Sequence, residues 1–197
     1  MTRIALLRHF PTRWNAERRL QGRTDVPLAD DARAMLGRLQ LPSAWAEVLL
    51  MASPLARAAE TASILAEGRP VRLDDRLVEL SWGAWEGRCV DELEADPASG
   101  FRPTGDLGPD ERPPGGESAA DAWERVRPAL ARIAAEGPAV VVTHKALMRV
   151  ILRRARGGKG EVEIRRGRLY GLTLDPDGEP VATEPPTRLV PRAEAAA

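Results

Sequence analysis

Residues 3–11 read Arg-Ile-Ala-Leu-Leu-Arg-His-Phe-Pro, and this stretch decides the fold. Its apolar run, residues 4–7, shows no alternation of polar and apolar positions, which suits a strand buried on both faces of a parallel sheet. Pro11 has no amide hydrogen for a central ladder, so the strand ends near Arg8 or His9. The theme recurs twice. Residues 47–52 (Glu-Val-Leu-Leu-Met-Ala) run into Ser53-Pro54, and residues 139–143 (Ala-Val-Val-Val-Thr) run into His144-Lys145. Between these runs, Leu55, Ala58, Ala59, Ala62 and Leu65 keep helical spacing up to a stop signal at Gly68. Ser118 reads as the cap of a helix that runs to about Ala135 and closes at Gly137-Pro138. Residues 28–39 and 146–154 suit further helices, residues 12–20 are polar and helix-compatible, and residues 70–73 suit a short strand. Residues 161–164 and 168–174 suit two late strands around an Arg166-Gly167 turn. Strands that alternate with helices predict an α/β fold with a mostly parallel sheet.

The chain has 197 residues, enough for one core. Residues 1–182 read as a single domain. Residues 96–117 are rich in proline and glycine and long enough to be expected as a lid loop. Residues 183–197 lack periodicity and are expected to form a disordered tail. Lys+Arg and Asp+Glu both number 29, so net charge is zero and no whole-molecule field draws nucleic acid or a membrane surface. Anion affinity must come from local placement of charge. Cys89 is the single cysteine, so no internal disulfide forms, and the chain contains only two histidines, His9 and His144. That composition argues against a soft-ligand metal site. No stretch approaches the ~20 apolar residues of a membrane helix. The expected location is the cytoplasm. No feature of the chain specifies an oligomeric state.

Parallel sheets place ligands at the carboxyl ends of their strands. Strand one ends in Arg8-His9, the second is followed by Arg57 in the first turn of the next helix, and the third ends in Thr143-His144. Both histidines therefore fall at strand ends on one edge, each followed by a helix start whose free N–H groups would form an anion site. Two arginines can grip a phosphoryl group in a fork geometry while keeping their charge. One histidine can attack phosphorus and carry it covalently, and a second can hold the phosphoryl oxygens. A carboxylic acid is still required to protonate the leaving oxygen.

The residues then resemble a known family. Leu7-Arg8-His9-Phe10-Pro11-Thr12-Arg13-Trp14-Asn15 is similar to the signature of the histidine phosphatase superfamily, also called the phosphoglycerate-mutase-like family. Four further blocks follow in the family's order: residues 21–28, residues 53–62, residues 77–87, and residues 115–118 with 142–144. The resemblance implies an α/β three-layer sandwich, its mostly parallel central sheet flanked by helices. It implies His9 as the nucleophile that becomes phosphohistidine, Arg8, Arg57 and His144 as the phosphate pocket, and Glu79 as the proton donor. Thr12 and Asn15 would line the phosphate loop and substrate mouth, with Gln21 and Gly22 further out. No cofactor is implied, and the expected partner is a small phosphorylated metabolite.

Two departures bear on this. Phe10 stands where the family usually has Gly, so either the loop accepts a non-glycine conformation or Phe10 walls one side of the pocket. Lys145 follows His144 where relatives often carry Gly or Asn; it either adds a cation near the pocket or points to solvent. The cofactor-dependent mutases of the superfamily carry an extra substrate-contacting segment, and no Arg-Arg pair precedes Glu117 here. The expected activity is therefore a metal-independent phosphatase. A phosphoglycerate-mutase-like transferase and a non-catalytic phosphate-binding protein on the same fold are the alternatives. Gly157-Gly158-Lys159 is no P-loop, because the upstream Gly is missing and Gly160 stands where Ser or Thr belongs. Trp82 and Trp85 serve either as an apolar mouth or as packing.

Overall fold

The computed structural model describes residues 1–101, 108–158 and 162–192. In chain order the elements are β1 (Thr2–Arg8), α1 (Arg13–Ala16), α2 (Asp30–Leu36), β2 (Leu39–Gln40), α3 (Ser43–Ala46), β3 (Leu49–Ala52), α4 (Ala56–Ala66) and β4 (Val71–Leu73). There follow α5 (Val90–Ala95), α6 (Ala119–Glu136), β5 (Ala139–Thr143), α7 (Lys145–Ala155), β6 (Arg168–Leu174), β7 (Pro180–Thr183), β8 (Thr187–Arg188) and β9 (Val190–Pro191). The main sheet has the order β4-β3-β5-β1-β6-β7, and β8 also pairs with β6. Strands β4, β3, β5 and β1 run parallel, while β6 runs against β1.

The unbroken apolar run of β1 is explained by its burial on both faces. Ile4 and Leu6 join the core under α6 and α7, whereas Ala5 and Leu7 join the core under α2 and α4. Each buried aliphatic side chain of this kind stabilises the fold by roughly 1.5–3 kcal/mol. The result is helices on both faces of a mostly parallel sheet, the expected sandwich. Register places the chemistry. Arg8 lies opposite Thr143, and the His9 amide donates to the Thr143 carbonyl at 2.9 Å. The Ser53 amide donates to Val142 at 3.0 Å, so the carboxyl ends of β3, β5 and β1 lie side by side.

Ser118 caps α6 as expected: its Oγ accepts from the Asp121 amide at 3.1 Å, and Asp121 Oδ2 accepts from the Ser118 amide at 2.9 Å. Other segments differ from the sequence reading. The helix expected over 12–20 is only the four residues of α1, and Arg18 turns the chain away in the left-handed region (φ 55°). The helix expected over 28–39 stops at Leu36 and leads into β2. Residues 162–165 form no strand; the Tyr170 hydroxyl accepts from the Arg165 amide at 2.7 Å and donates to the Glu163 carbonyl at 3.0 Å in place of a ladder. Glu161 lies outside the described residues.

The expected disordered tail is ordered through Arg192. Strand β8 pairs with β6 and β9 with β2, while Leu189 enters the core. Arg192 fastens the segment by donating to the Leu39 and Ile64 carbonyls, each at 2.9 Å. One buried leucine and one multidentate arginine order the segment without any periodic pattern. Residues 193–197 lie outside the described residues, as do 102–107 of the expected lid loop. The described flanks of that loop are anchored. Trp85 donates to the Ser99 carbonyl at 2.8 Å and meets the Phe101 ring edge-on at 5.3 Å, and Arg125 forks onto Glu117 at 2.8 and 2.7 Å. No helix among the described residues is long and apolar enough to cross a membrane.

Candidate active site

A cleft of about 1230 Å³ opens at these strand ends, with Arg8, His9, Asn15, Gln21, Glu79 and Lys145 on its walls. Among the described residues, no group of three or more His, Cys, Asp and Glu side chains is placed to hold a metal ion.

His9 follows β1 and is only 4% exposed. Its Nδ1 lies 2.7 Å from the Phe10 carbonyl oxygen, which can only accept, so Nδ1 carries the proton and Nε2 keeps its lone pair. Burial is the largest cause holding the imidazole well below its usual pKa, followed by the charges of Arg57 and Arg8. The ring is thus a neutral nitrogen base with a fixed tautomer.

Arg57 and His144 lie beneath it, fully buried, with the two histidine rings 5.2 Å apart. Arg57 donates through Nη2 to the Gly22 carbonyl at 2.6 Å, through Nη1 to Thr24 at 3.0 Å and through Nε to His144 Nδ1 at 3.3 Å. His144 Nε2 then carries the proton and donates to Ser53 Oγ at 2.8 Å. Both nitrogens of His144 are therefore held by protein groups, and neither it nor Arg57 lines the cleft. The expectation that His144 itself grips phosphoryl oxygens does not match this arrangement. A Cβ at Gly22 would come within 2.7 Å of Glu86 Oε2 and of the Leu80 carbonyl, so glycine is needed for this carbonyl to reach Arg57.

Glu79 comes from the irregular stretch after β4 and is 5% exposed. Its Oε1 accepts from the Leu80 and Leu147 amides, each at 3.0 Å, and its Oε2 from the Ala146 amide at 3.1 Å. Burial raises its pKa, against the pull of these three amides and Arg57. Oε2 accepts one bond where Oε1 accepts two, so Oε2 is the seat for a proton. This contact overturns another expectation. The amides at the start of α7 are not free for a ligand, because Glu79 occupies them; at α4, Asp25 Oδ1 takes the Ala56 amide at 2.7 Å. Carboxylates of the chain thus occupy the first-turn amides of Ala56, Ala146 and Leu147.

Side chains supply free donors. Arg8 Nε, Gln21 Nε2 and Arg166 Nε are buried without a hydrogen-bond partner among the described residues, and all three residues line the cleft. Unpaired buried donors are costly, roughly 1–3 kcal/mol each, so their gathering in one cleft points to an anion. Burial lowers the Arg8 pKa to about 10, and repulsion from Arg166 adds to this; Arg8 remains charged at neutral pH. Thr12 Oγ1 donates to Gln21 Oε1 at 3.0 Å, and Asn15 Oδ1 accepts the Thr12 amide at 3.1 Å. These bonds fix the loop between β1 and Gln21. Thr12 itself is buried off the cleft wall.

Phe10 is not a pocket wall. Its side chain is 1% exposed and packs in the core with Leu7 and Leu28, and its backbone does not enter the left-handed region. The position accepts a non-glycine residue because the ring points into the sheet's helical layer, not toward a ligand. Lys145 is the reverse case: it lines the cleft and is not directed wholly to solvent, and burial lowers its pKa. Trp82 lines the cleft, whereas Trp85 is packing.

Arg166 and Ser53 were absent from the sequence-derived site. Arg166 stands just before β6, whose antiparallel pairing sets Leu169 opposite Leu7 and so carries the turn to the carboxyl end of β1. The Arg-Gly turn was visible in the sequence; the pairing that aims it was not.

Comparison with known proteins identifies the family. The sequence model of the histidine phosphatase superfamily (branch 1) matches residues 4–177. A probable phosphoglycerate mutase of Cronobacter sakazakii is 38% identical over 133 residues, covering 66% of this chain and 62% of that protein, so the match spans less than two thirds of the relative. Among solved structures, a phosphoglycerate mutase of Thermus thermophilus is 32% identical with a TM-score of 0.71, covering 92% of this chain and 97% of that one. A mycobacterial glucosyl-3-phosphoglycerate phosphatase, solved with VO3, is 28% identical with a TM-score of 0.75, covering 88% and 93%.

Proposed function

Because the chain belongs to the histidine phosphatase superfamily, we propose that it is a cytoplasmic phosphatase that hydrolyses a small phosphomonoester through a phosphohistidine on His9, with no metal or cofactor. The observation that carries this reading is the tautomer of His9: Nδ1 is tied to the Phe10 carbonyl, leaving the Nε2 lone pair to a residue that lines the cleft beside the unpaired donors of Arg8 and Gln21. His9 Nε2 attacks phosphorus, the ester P–O bond breaks, and Glu79 Oε2 gives its proton to the departing alkoxide. Arg8 and Gln21 meet the phosphoryl oxygens, while the Arg57 guanidinium, bonded to His144, raises the positive potential from beneath His9. Water then attacks the phosphohistidine with the Glu79 carboxylate as base. Inorganic phosphate leaves, and Glu79 is protonated again.

Brief exposure to a phospho-donor followed by quenching tests this. An acid-labile, base-stable adduct should form and be absent from His9→Ala, which should also release no phosphate; undiminished phosphate release by His9→Ala would overturn the reading. A second reading, phosphoryl transfer between the hydroxyls of phosphoglycerate, is favoured by the relatives that bear the mutase name. Isomerisation of 3-phosphoglycerate outrunning phosphate release, with catalytic 2,3-bisphosphoglycerate present, would select it.

A further inference from the structure

Glu79 sits on an irregular stretch after β4, so no helix or strand ladder of its own fixes its backbone. The carbonyls of that stretch are gripped from outside. Arg125 of α6 donates through Nη1 to the Arg76 and Val78 carbonyls at 2.7 and 3.1 Å, and between them Thr143 Oγ1 donates to the Leu77 carbonyl at 2.7 Å. Beyond Glu79, the Glu117 amide donates to the Ser81 carbonyl at 2.9 Å. A Cβ at Gly116 would stand 2.7 Å from that same carbonyl oxygen, so this close approach needs glycine. The Nε and Nη2 edge of Arg125 is taken by Glu117, and the two side chains are only 18% and 11% exposed. Glu117 Oε1 also accepts from Arg23 Nη2 at 3.2 Å, next to Gly22, whose carbonyl holds Arg57. One carboxylate thus joins the stretch that bears Glu79 to the loop beneath His9. Glu117 lines the cleft, whereas Arg125 does not.

We propose that Arg125 and Glu117 are positioning residues for the proton donor: they fix the backbone on either side of Glu79 and so aim its carboxyl at the departing oxygen; this rests on the phosphatase reading above. The planar guanidinium explains the division of labour. Glu117 locks one edge of the fork in two-point contact, and that leaves Nη1 directed at the two carbonyls. The Glu79 carboxyl then meets the Leu80, Ala146 and Leu147 amides, three bonds that a shifted backbone would break. A misplacement of about 1 Å costs a reacting group on the order of 100-fold in rate.

The test compares kcat/KM for benzyl phosphate and p-nitrophenyl phosphate. Nitrophenolate departs without a proton, whereas the benzyl alkoxide needs one, so the benzyl-to-nitrophenyl ratio reads the acid alone. The ratio is measured within one preparation and is independent of the fraction that folds. Glu79→Gln should lower it by about 100-fold or more. Arg125→Gln should lower it by about tenfold and leave it unmoved when Glu79→Gln is already present. Glu117→Gln, which keeps the side-chain volume, should shift it the same way and carries the test if Arg125→Gln does not fold. Loss of both esters in equal proportion in the single variants overturns the proposal, since the pair would then only support the fold. So does an equal fall of the ratio in the Glu79→Gln background, where Arg125 would act through its charge on His144. If no ester is turned over, or Glu79→Gln leaves the ratio unmoved, it is the reaction reading that fails, and amide hydrogen exchange decides the placement. In Arg125→Gln the Ala146 and Leu147 amides should lose protection relative to the Met148 amide, which bonds the His144 carbonyl; unchanged relative protection overturns the proposal.

Discussion

Arg57 donates from Nε to Nδ1 of His144 at 3.3 Å, and this one bond fixes the proton of the second histidine on Nε2, where Ser53 receives it. The same guanidinium holds the Gly22 and Thr24 carbonyls. A lysine ammonium lacks the planar fork needed to satisfy all three acceptors. Arg57→Lys is therefore expected to lower kcat/KM by about 100-fold or more and to cost about 3 kcal/mol in urea unfolding. Long-range ¹⁵N–¹H spectra should show His144 losing its single Nε2–H tautomer. Wild-type spectra from the variant would mean that Arg57 does not set the tautomer.

Opposite shifts of His9 and Glu79 set the pH dependence of the reaction. His9 is held well below its usual pKa, so the nucleophile stays unprotonated into the mildly acidic range. Glu79 is held above its usual pKa, so the acid keeps its proton at higher pH than a free carboxyl does. Activity should persist below neutrality and fall on the alkaline side as Glu79 ionises. Comparison with Glu79→Gln on one substrate cancels that substrate's own ionisation. The variant should be slower and lack this alkaline limb; an identical profile would remove Glu79 from the role of acid.

Both histidines also make folding pH-dependent. Unfolded imidazoles protonate near pH 6.5, while buried His9 and His144 resist protonation below that value. The unfolded chain then binds more protons, so stability should decline as pH falls from about 6.5 toward 5, by at most about 1.4 kcal/mol per pH unit for each imidazole. Urea unfolding across this window should show the decline, and His144→Gln should lessen the slope. An unchanged slope in that variant would mean that His144 titrates normally when folded.

The sheet was legible because its central strands are buried on both faces and so write their burial as unbroken apolar runs. Residues 4–7 and 139–143 announce strands, and the ends of those strands announce Arg8, His9 and His144. The rest of the site obeys no period. Glu79 comes from an irregular stretch and was reached only through family resemblance, and its grip on the start of α7 depends on packing between distant segments. Arg166 depends on β6 returning antiparallel beside β1, a pairing that no local pattern encodes. Beyond two short strand pairings, the tail from Thr187 to Arg192 is held by the side chains of Leu189 and Arg192, too few residues to show as a pattern.

Phe10 gives the sharpest contrast between family pattern and local packing. Glycine is usual at this position, yet here the ring fills the core beside Leu7 and Leu28 and the Phe10 amide donates to Thr61 Oγ1 at 3.1 Å. Restoring glycine removes the ring and frees the backbone whose carbonyl holds His9. Phe10→Gly is thus expected to destabilise the protein by on the order of 3–5 kcal/mol and to lower kcat by loosening the His9 tautomer, and Phe10→Leu should retain most of both properties. Urea unfolding and initial rates on one aryl phosphate decide the matter. A Phe10→Gly protein of wild-type stability with a raised kcat would show that the ring obstructs the cleft, whereas the packing found here requires loss in both measurements.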